Sequence, residues 1–114
     1  MIKISPQEAF LIFAKWRESD AHLHVAFFEG GVRTAAPGWI FGFSVTDESV
    51  SVLTVSEGFS TKRTIPLTRA TFRYEEPQQP SRASEFGEAS WAAYLFVELP
   101  DGFSALFAER AQSR

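Results

Sequence analysis

The apolar positions of the first twenty residues repeat with the period of a helix. Apolar residues recur at spacings of three and four, which places them on one helical face. Ser5 and Glu8 form a Ser-x-x-Glu capping box, and Pro6 suits the first helical position. The pattern therefore predicts a helix over residues 5–19. Its apolar face consists of Ala9, Ile12, Phe13 and Trp16.

After Ser19 the apolar period changes from about 3.6 residues to 2, which is typical of strands. In the segment HLHVAFFE, the apolar side chains Leu23, Val25 and Phe27 share one face. Short polar turns separate further alternating segments, so residues 22–75 are predicted to form consecutive antiparallel strands. The later segments are GWIFGFSV, VSVLTVS, STKRTIPL and ATFRYE.

The remaining residues predict a loop and a last hairpin. Residues 76–90 are polar and rich in Pro, Ser and Glu, which is typical of a flexible surface loop. Residues 91–108 give two strands about a Pro-Asp-Gly turn, and the final RAQSR is predicted to be a frayed tail.

Together these elements predict an α+β fold that is mostly β, in a single domain over residues 1–114. The N-terminal helix should pack on a strongly bent antiparallel sheet, or on a small barrel, of about six to seven strands. Gly42 inside a strand segment predicts a bulge, a bend or a close backbone approach, and Gly30-Gly31 suits a turn.

The order of elements over residues 5–76 resembles the Sm-like small barrel. Gly42 within WIFGFSVTD, Asp47 after it, the VSVLTV strand and TIPLTRATFRYEE carry the resemblance. It implies a topology and no functional residues, because the positions through which that family holds RNA bases are not matched. SH3-like barrels and pleckstrin-like curved sheets fit the same pattern nearly as well.

Composition limits the classes of function. Hydrophobic residues make up 45% of the chain and aromatic residues 15%, enough for a core and for part of a partner surface or pocket. The net charge of −3 gives no overall attraction to nucleic acid or to an anionic membrane. The absence of cysteine excludes disulfides, thiolate nucleophiles and Cys-type metal sites. No basic region followed by an apolar segment opens the sequence, so we expect a cytoplasmic protein.

The two histidines, His22 and His24, lie one residue apart on the first strand segment. Side chains two apart on a strand share a face, so both imidazoles could bind one metal ion with Asp20 or Glu29 as a third ligand. Either histidine could also act as a general base. No compact metal or catalytic motif accompanies the pair, so we predict no metal, no cofactor and no catalytic residue. Both side chains are expected to face water.

A cationic group interleaved with aromatic residues is the candidate for nucleic acid contact. Alternation along the strand places Lys62 and Arg63 on opposite faces, which favours a solvated strand over a binding surface. The full group is Lys62, Arg63, Arg69 and Arg73.

The function most consistent with these patterns is a non-catalytic interaction module that self-associates as a dimer or small ring. The aromatic residues proposed for that interface are Trp39, Phe41, Trp91 and Tyr94. One alternative is a binding or enzymatic pocket between the helix and the concave sheet, which uses His22, His24 and Tyr94. The other is an RNA-binding small barrel that uses the cationic group.

Overall fold

The computed structural model describes residues 1–76, 81–83 and 87–110, with side chains described for 1–76 and 91–110. This part of the chain forms one helix and nine strands. In chain order they are β1 (Ile2–Ile4), α1 (Pro6–Ser19), β2 (Leu23–Glu29), β3 (Val32–Ser44), β4 (Ser49–Ser56), β5 (Phe59–Pro66), β6 (Thr71–Glu75), β7 (Ser81–Ala83), β8 (Gly87–Glu98) and β9 (Ser104–Arg110).

The helix begins at the predicted capping box. The backbone N–H of Glu8 donates to Ser5 Oγ at 3.2 Å, and the backbone N–H of Ser5 donates to Glu8 Oε1 at 3.0 Å. These two bonds satisfy amide groups that the first helical turn leaves without partners. The helix ends at Asp20, which adopts the left-handed conformation with φ 51°. Within the described residues, no helix is long and apolar enough to cross a membrane.

All strand pairs are antiparallel, and eight strands form one sheet in the order β1-β6-β8-β9-β2-β3-β4-β5, with β7 paired to β8 beside this path. The sheet is not closed, because β6 pairs with β1 and β8 and not with β5. The predicted α+β class and bent antiparallel sheet are confirmed. The sheet is open, so the Sm-like, SH3-like or pleckstrin-like topology stays a prediction, and the strands number nine in the described residues, not six to seven.

The chain connectivity requires the sheet to curl strongly. Pro66 at the end of β5 and Thr71 at the start of β6 are five residues apart, which span at most about 18 Å. In the sheet, six inter-strand spacings separate these strands, and they would cover about 29 Å if the sheet were flat. The sheet therefore curves and brings its two ends towards each other.

The helix packs on one face of the curved sheet, which we call the inner face. Phe13 is fully buried, and its ring lies 5.3 Å from Phe107 and 5.9 Å from Phe43, measured between centroids. Trp16 is also buried, and its indole N–H donates to Glu109 Oε1 at 3.0 Å. The predicted inward residues of β2 belong to this core, namely Leu23, Val25 and Phe27.

Strand β3 begins at Val32, earlier than the sequence predicted. A two-residue turn, Gly30-Gly31, joins it to β2 with φ values of 59° and 80°, and Glu29 pairs directly with Val32. Two central residues with positive φ are the geometry of the tightest hairpins. The early part of β3 escaped prediction because its residues are mostly exposed and show no apolar alternation. Strand β1 was missed for a similar reason, since it has only three residues, none of them buried.

The predicted loop over residues 76–90 lies partly outside the described residues, at 77–80 and 84–86. Between these positions β7 spans Ser81–Ala83, and β8 begins at Gly87. The C-terminal hairpin closes at the predicted turn, where the backbone N–H of Phe103 donates to Asp101 Oδ1 at 3.0 Å. Strand β9 continues to Arg110, two residues beyond the predicted end.

Candidate functional site

A cleft lies where the chain leaves the helix and enters β2. Its volume is about 380 Å³, and we call it the histidine cleft. Pro37 and Gly38 of β3 also line it. The charged and aromatic residues that line it are Asp20, His22, His24, Trp39, Trp91 and Arg110.

Neighbouring strands hold the cleft residues in fixed register. His24 pairs with Pro37 of β3 on one side and with Ala108 of β9 on the other. Arg110 ends β9, where its backbone N–H donates to the carbonyl of His22 at 3.0 Å. Trp91 lies directly opposite Arg110 in the ladder between β8 and β9. The cleft is therefore built on the middle of the sheet, on the face away from the helix, which we call the outer face.

The two histidines differ in exposure. His22 is exposed, whereas His24 is half-buried and its ring lies edge-on to Trp91, with centroids 5.8 Å apart. Trp91 is itself 2% exposed and forms a second apolar cluster with Tyr94 and Ala108. The expectation that both imidazoles face water holds for His22 and is wrong for His24, because this cluster covers part of the outer face.

The surroundings of His24 keep its imidazole neutral at neutral pH. Burial lowers the pKa of His24 below its ordinary value of 6.5, and the positive charges of Arg110 and Arg33 lower it further. A neutral imidazole offers one hydrogen-bond donor and one acceptor. A neutral His24 therefore acts through directional hydrogen bonds, and its burial does not require the removal of a charge from water.

The structure separates the histidines from one of their predicted third ligands. Asp20 lines the same cleft, but Glu29 lies at the far end of β2 and accepts a bond from Arg63 at 2.9 Å. In the described ranges, no group of three or more His, Asp or Glu side chains lies close enough together to hold a metal ion. A catalytic zinc site usually needs three protein ligands.

The four predicted interface aromatics lie in two different environments. Trp39 and Phe41 on β3 are 37% and 54% exposed, whereas Trp91 and Tyr94 are buried in the second cluster. Tyr94 does not line the histidine cleft, although the pocket alternative included it. The pocket itself lies on the outer face, and not between the helix and the concave sheet, because odd-numbered residues of β2 point to the core and even-numbered ones away from it.

The predicted cationic group does not form one surface. The ammonium of Lys62 lies 5.1 Å from the centre of the Phe41 ring on the outer face. The guanidinium of Arg63 lies on the inner face, 4.5 Å from the centre of the Phe103 ring and 5.1 Å from that of Phe27.

The other two members lie on a different part of the sheet. Arg73 is on β6, where its Nη2 lies 3.8 Å from Glu98 Oε1, and Arg69 occupies the turn before β6 with φ 64°. These four side chains therefore give no continuous track for a nucleic acid backbone on the part of the sheet that the structure describes.

A second polar group lies near the helix. The Tyr74 hydroxyl donates to Glu76 Oε2 at 2.7 Å, and burial, this bond and nearby acidic charge raise the pKa of Tyr74 well above its usual range. A shallow cavity of about 310 Å³ also touches Trp16 and Glu109. The Tyr74 hydroxyl and the Trp16 indole N–H each donate a hydrogen bond to a glutamate. Because their hydrogen bonds are satisfied within the protein, we assign these residues a structural role.

Sequence reasoning missed Arg110 as a site residue, because it assigned RAQSR to a frayed tail. The available signal was alternation, since Leu106, Ala108 and Arg110 continue one face of β9. Pro37 was missed with the early part of β3, and Gly38, the first residue of the predicted GWIFGFSV segment, was not recognised as a site residue. In comparisons with known proteins, no family model, no curated protein and no solved structure matches the chain.

Proposed function

We propose that this protein is a non-catalytic binding domain that holds a small molecule in the histidine cleft. The observation that carries the proposal is the convergence of two tryptophans, a half-buried histidine and an arginine around about 380 Å³. Binding sites for small molecules typically occupy about 300–1,000 Å³ and combine apolar walls with a few placed polar groups.

The elements that hold these residues support binding. His24 lies on β2, which is paired on both sides, and Trp91 is buried in the second cluster. Side chains fixed in this way lose little further freedom when a ligand arrives.

A fragment screen tests this proposal. We expect some fragments to raise the melting temperature of the wild-type protein and to shift the indole N–H signals of Trp39 and Trp91 in NMR spectra. Replacement of Trp39 by Ala should weaken this binding because Trp39 forms one wall of the cleft. The control is Phe59→Ala, which removes an aromatic side chain that is 75% exposed on β5. Hits that bind equally well to both variants, or no hits at all, would contradict the proposal.

A second candidate function is self-association through β3. Trp39 and Phe41 near the end of this strand are 37% and 54% exposed, and Val45, just after it, is 63% exposed. Exposed apolar groups of this kind mark interaction surfaces. We expect light scattering at high protein concentration to give the mass of a dimer for the wild type and of a monomer for Phe41→Ser. A monomer in both proteins would reject self-association and leave the ligand proposal intact.

A further inference from the structure

We infer that the histidine cleft takes a small aromatic carboxylate, with the carboxylate against Arg110 and the ring against Trp39. This inference rests on the proposed function and adds the chemical class of the ligand. Three features of the cleft support it, namely its charge, the placement of its aromatic side chains and its size.

The Arg110 end of the cleft favours an anion. Arg110 is exposed, and the bond from its backbone N–H to the His22 carbonyl fixes the end of β9 beside the cleft. The charge of Arg110 also acts on His24, together with that of Arg33, so a positive potential reaches the half-buried part of the site. A guanidinium binds a carboxylate through two parallel hydrogen bonds, which are stronger than bonds between neutral groups.

The tryptophans lie at opposite ends of the cleft. Trp91 is on β8 and Trp39 on β3, and β9 and β2 lie between these strands. Strands β8 and β3 are therefore three inter-strand spacings apart, which corresponds to about 14 Å. Because Arg110 lies on β9, the charged end of a ligand belongs beside β9 and its ring at β3, two inter-strand spacings or about 10 Å away. There, Pro37 and Trp39 offer flat apolar surface on the same face of the strand, against which an aromatic ring can pack.

The size of the cleft suits a small ligand. Its volume of about 380 Å³ lies near the lower end of the range of about 300–1,000 Å³ that is typical of small-molecule sites. Asp20, at the end of the helix, is the acidic residue among the described residues that line the cleft. A ligand that extended a second negative group towards the helix would meet this carboxylate, so one anionic group at the Arg110 end is the best match.

Four small probes of matched shape test the inference. Phenylacetate carries the ring and the charge, phenylacetamide is its neutral counterpart, phenethylamine is cationic, and cyclohexylacetate keeps the charge without a planar ring. Dissociation constants are measured by NMR titration of the ¹⁵N-labelled full chain. We expect phenylacetate to bind about tenfold or more tighter than each of the other three, because a hydrogen-bonded ion pair and a flat contact are both made only by that probe.

Arg110→Gln is the diagnostic variant and Arg69→Gln its matched control. Arg69 lies in the turn before β6, and it does not line the cleft. Arg110→Gln should abolish the preference for phenylacetate over phenylacetamide, and Arg69→Gln should retain it. Thermal melting of both variants establishes that they are folded.

The outcomes separate the ligand class from the proposed function. If phenylacetamide, phenethylamine or cyclohexylacetate binds in the cleft as tightly as phenylacetate, the class is wrong while small-molecule binding stands. If phenylacetate binds and Arg110→Gln still prefers it over phenylacetamide, the assignment of Arg110 is overturned. If none of the four probes binds, the class is rejected, and the fragment screen alone decides whether the cleft binds other molecules.

Discussion

The substitution Gly38→Ala provides a sharp test of the described strand packing. Gly38 is buried in β3, where it pairs with Thr54 of β4. A methyl group added to its Cα would lie well inside the van der Waals radius of the Leu53 carbonyl oxygen and 3.1 Å from Thr54 Cγ2. Because the nearest atom belongs to the backbone, no side-chain rotation can relieve the contact.

The expected cost follows from how β4 is held. This strand pairs with β3 on one side and with β5 on the other, so it cannot move aside without weakening ladder hydrogen bonds. Each such bond contributes about 0.5–1.5 kcal/mol, and overpacking of a buried position costs about 1–3 kcal/mol. We therefore expect Gly38→Ala to lower the free energy of unfolding by about 2–4 kcal/mol, which corresponds to a fall of roughly 10 °C in melting temperature.

Gly42→Ala is the matched control on the same strand. A methyl group there would meet Ser51 Cβ at 3.9 Å, which is an ordinary contact. Replacement of glycine by alanine at a compatible position restricts the unfolded chain and stabilises a protein by about 0.4–1 kcal/mol. Urea denaturation of the two variants should therefore give changes of opposite sign. Equal stability of Gly38→Ala and Gly42→Ala would refute the close approach of β3 to β4 at Gly38.

Three further predictions concern single side chains. Ser5→Ala removes the capping bond at the start of the helix and should lower the free energy of unfolding by about 1 kcal/mol in urea denaturation. Arg63→Lys should cost about 0.5–1.5 kcal/mol, because an ammonium cannot stack on two phenylalanine rings as a guanidinium does, whereas Arg69→Lys should leave stability unchanged. The pKa of His24 is lower in the folded protein than its ordinary value of 6.5, so the unfolded chain binds the proton first as the pH falls. The stability that depends on neutral His24 is thus complete above about pH 6.5 and is lost as the pH falls through the lowered pKa. Melting temperatures measured from pH 7.5 to 5.5 should therefore fall less in His24→Gln than in the wild type.

The elements that sequence predicted best are those whose signals are local. The Ser5 and Glu8 capping box determines the start of the helix through contacts within one turn. The inward face of β2 follows from alternation alone, because a strand that packs against a core on one face must alternate. The bulge expected at Gly42 is present, as the register between β3 and β4 shifts between Ile40 and Gly42.

The order of strands could not be predicted, because it depends on contacts between distant segments. Strand β1 pairs with β6 although about seventy residues separate them, and its three residues carry no pattern that selects this partner. The close approach of the Leu53 carbonyl to Gly38 could not be predicted for the same reason. It depends on where the carbonyl of Leu53 lies on the next strand, and that position follows from the hairpin register.

The histidine cleft could be predicted only in part, because its residues come from four strands and one helix end. Sequence spacing identified His22 and His24 as candidates but placed both towards water. The partner that buries His24 is Trp91, which is sixty-seven residues away and meets it only because β9 pairs with both β2 and β8.

The composition of β2 itself nevertheless contains a signal that both of its faces are covered. A strand with one face in water carries polar residues at alternate positions, whereas a strand covered on both faces reads as a nearly continuous apolar run. Between Leu23 and Phe28, His24 is the single polar residue, and Ala26 on its face is fully buried. The face away from the helix is therefore apolar apart from one imidazole. The sequence of β2 therefore already indicates cover on both faces, and Trp91, which lies edge-on to His24, supplies part of that cover on the outer face.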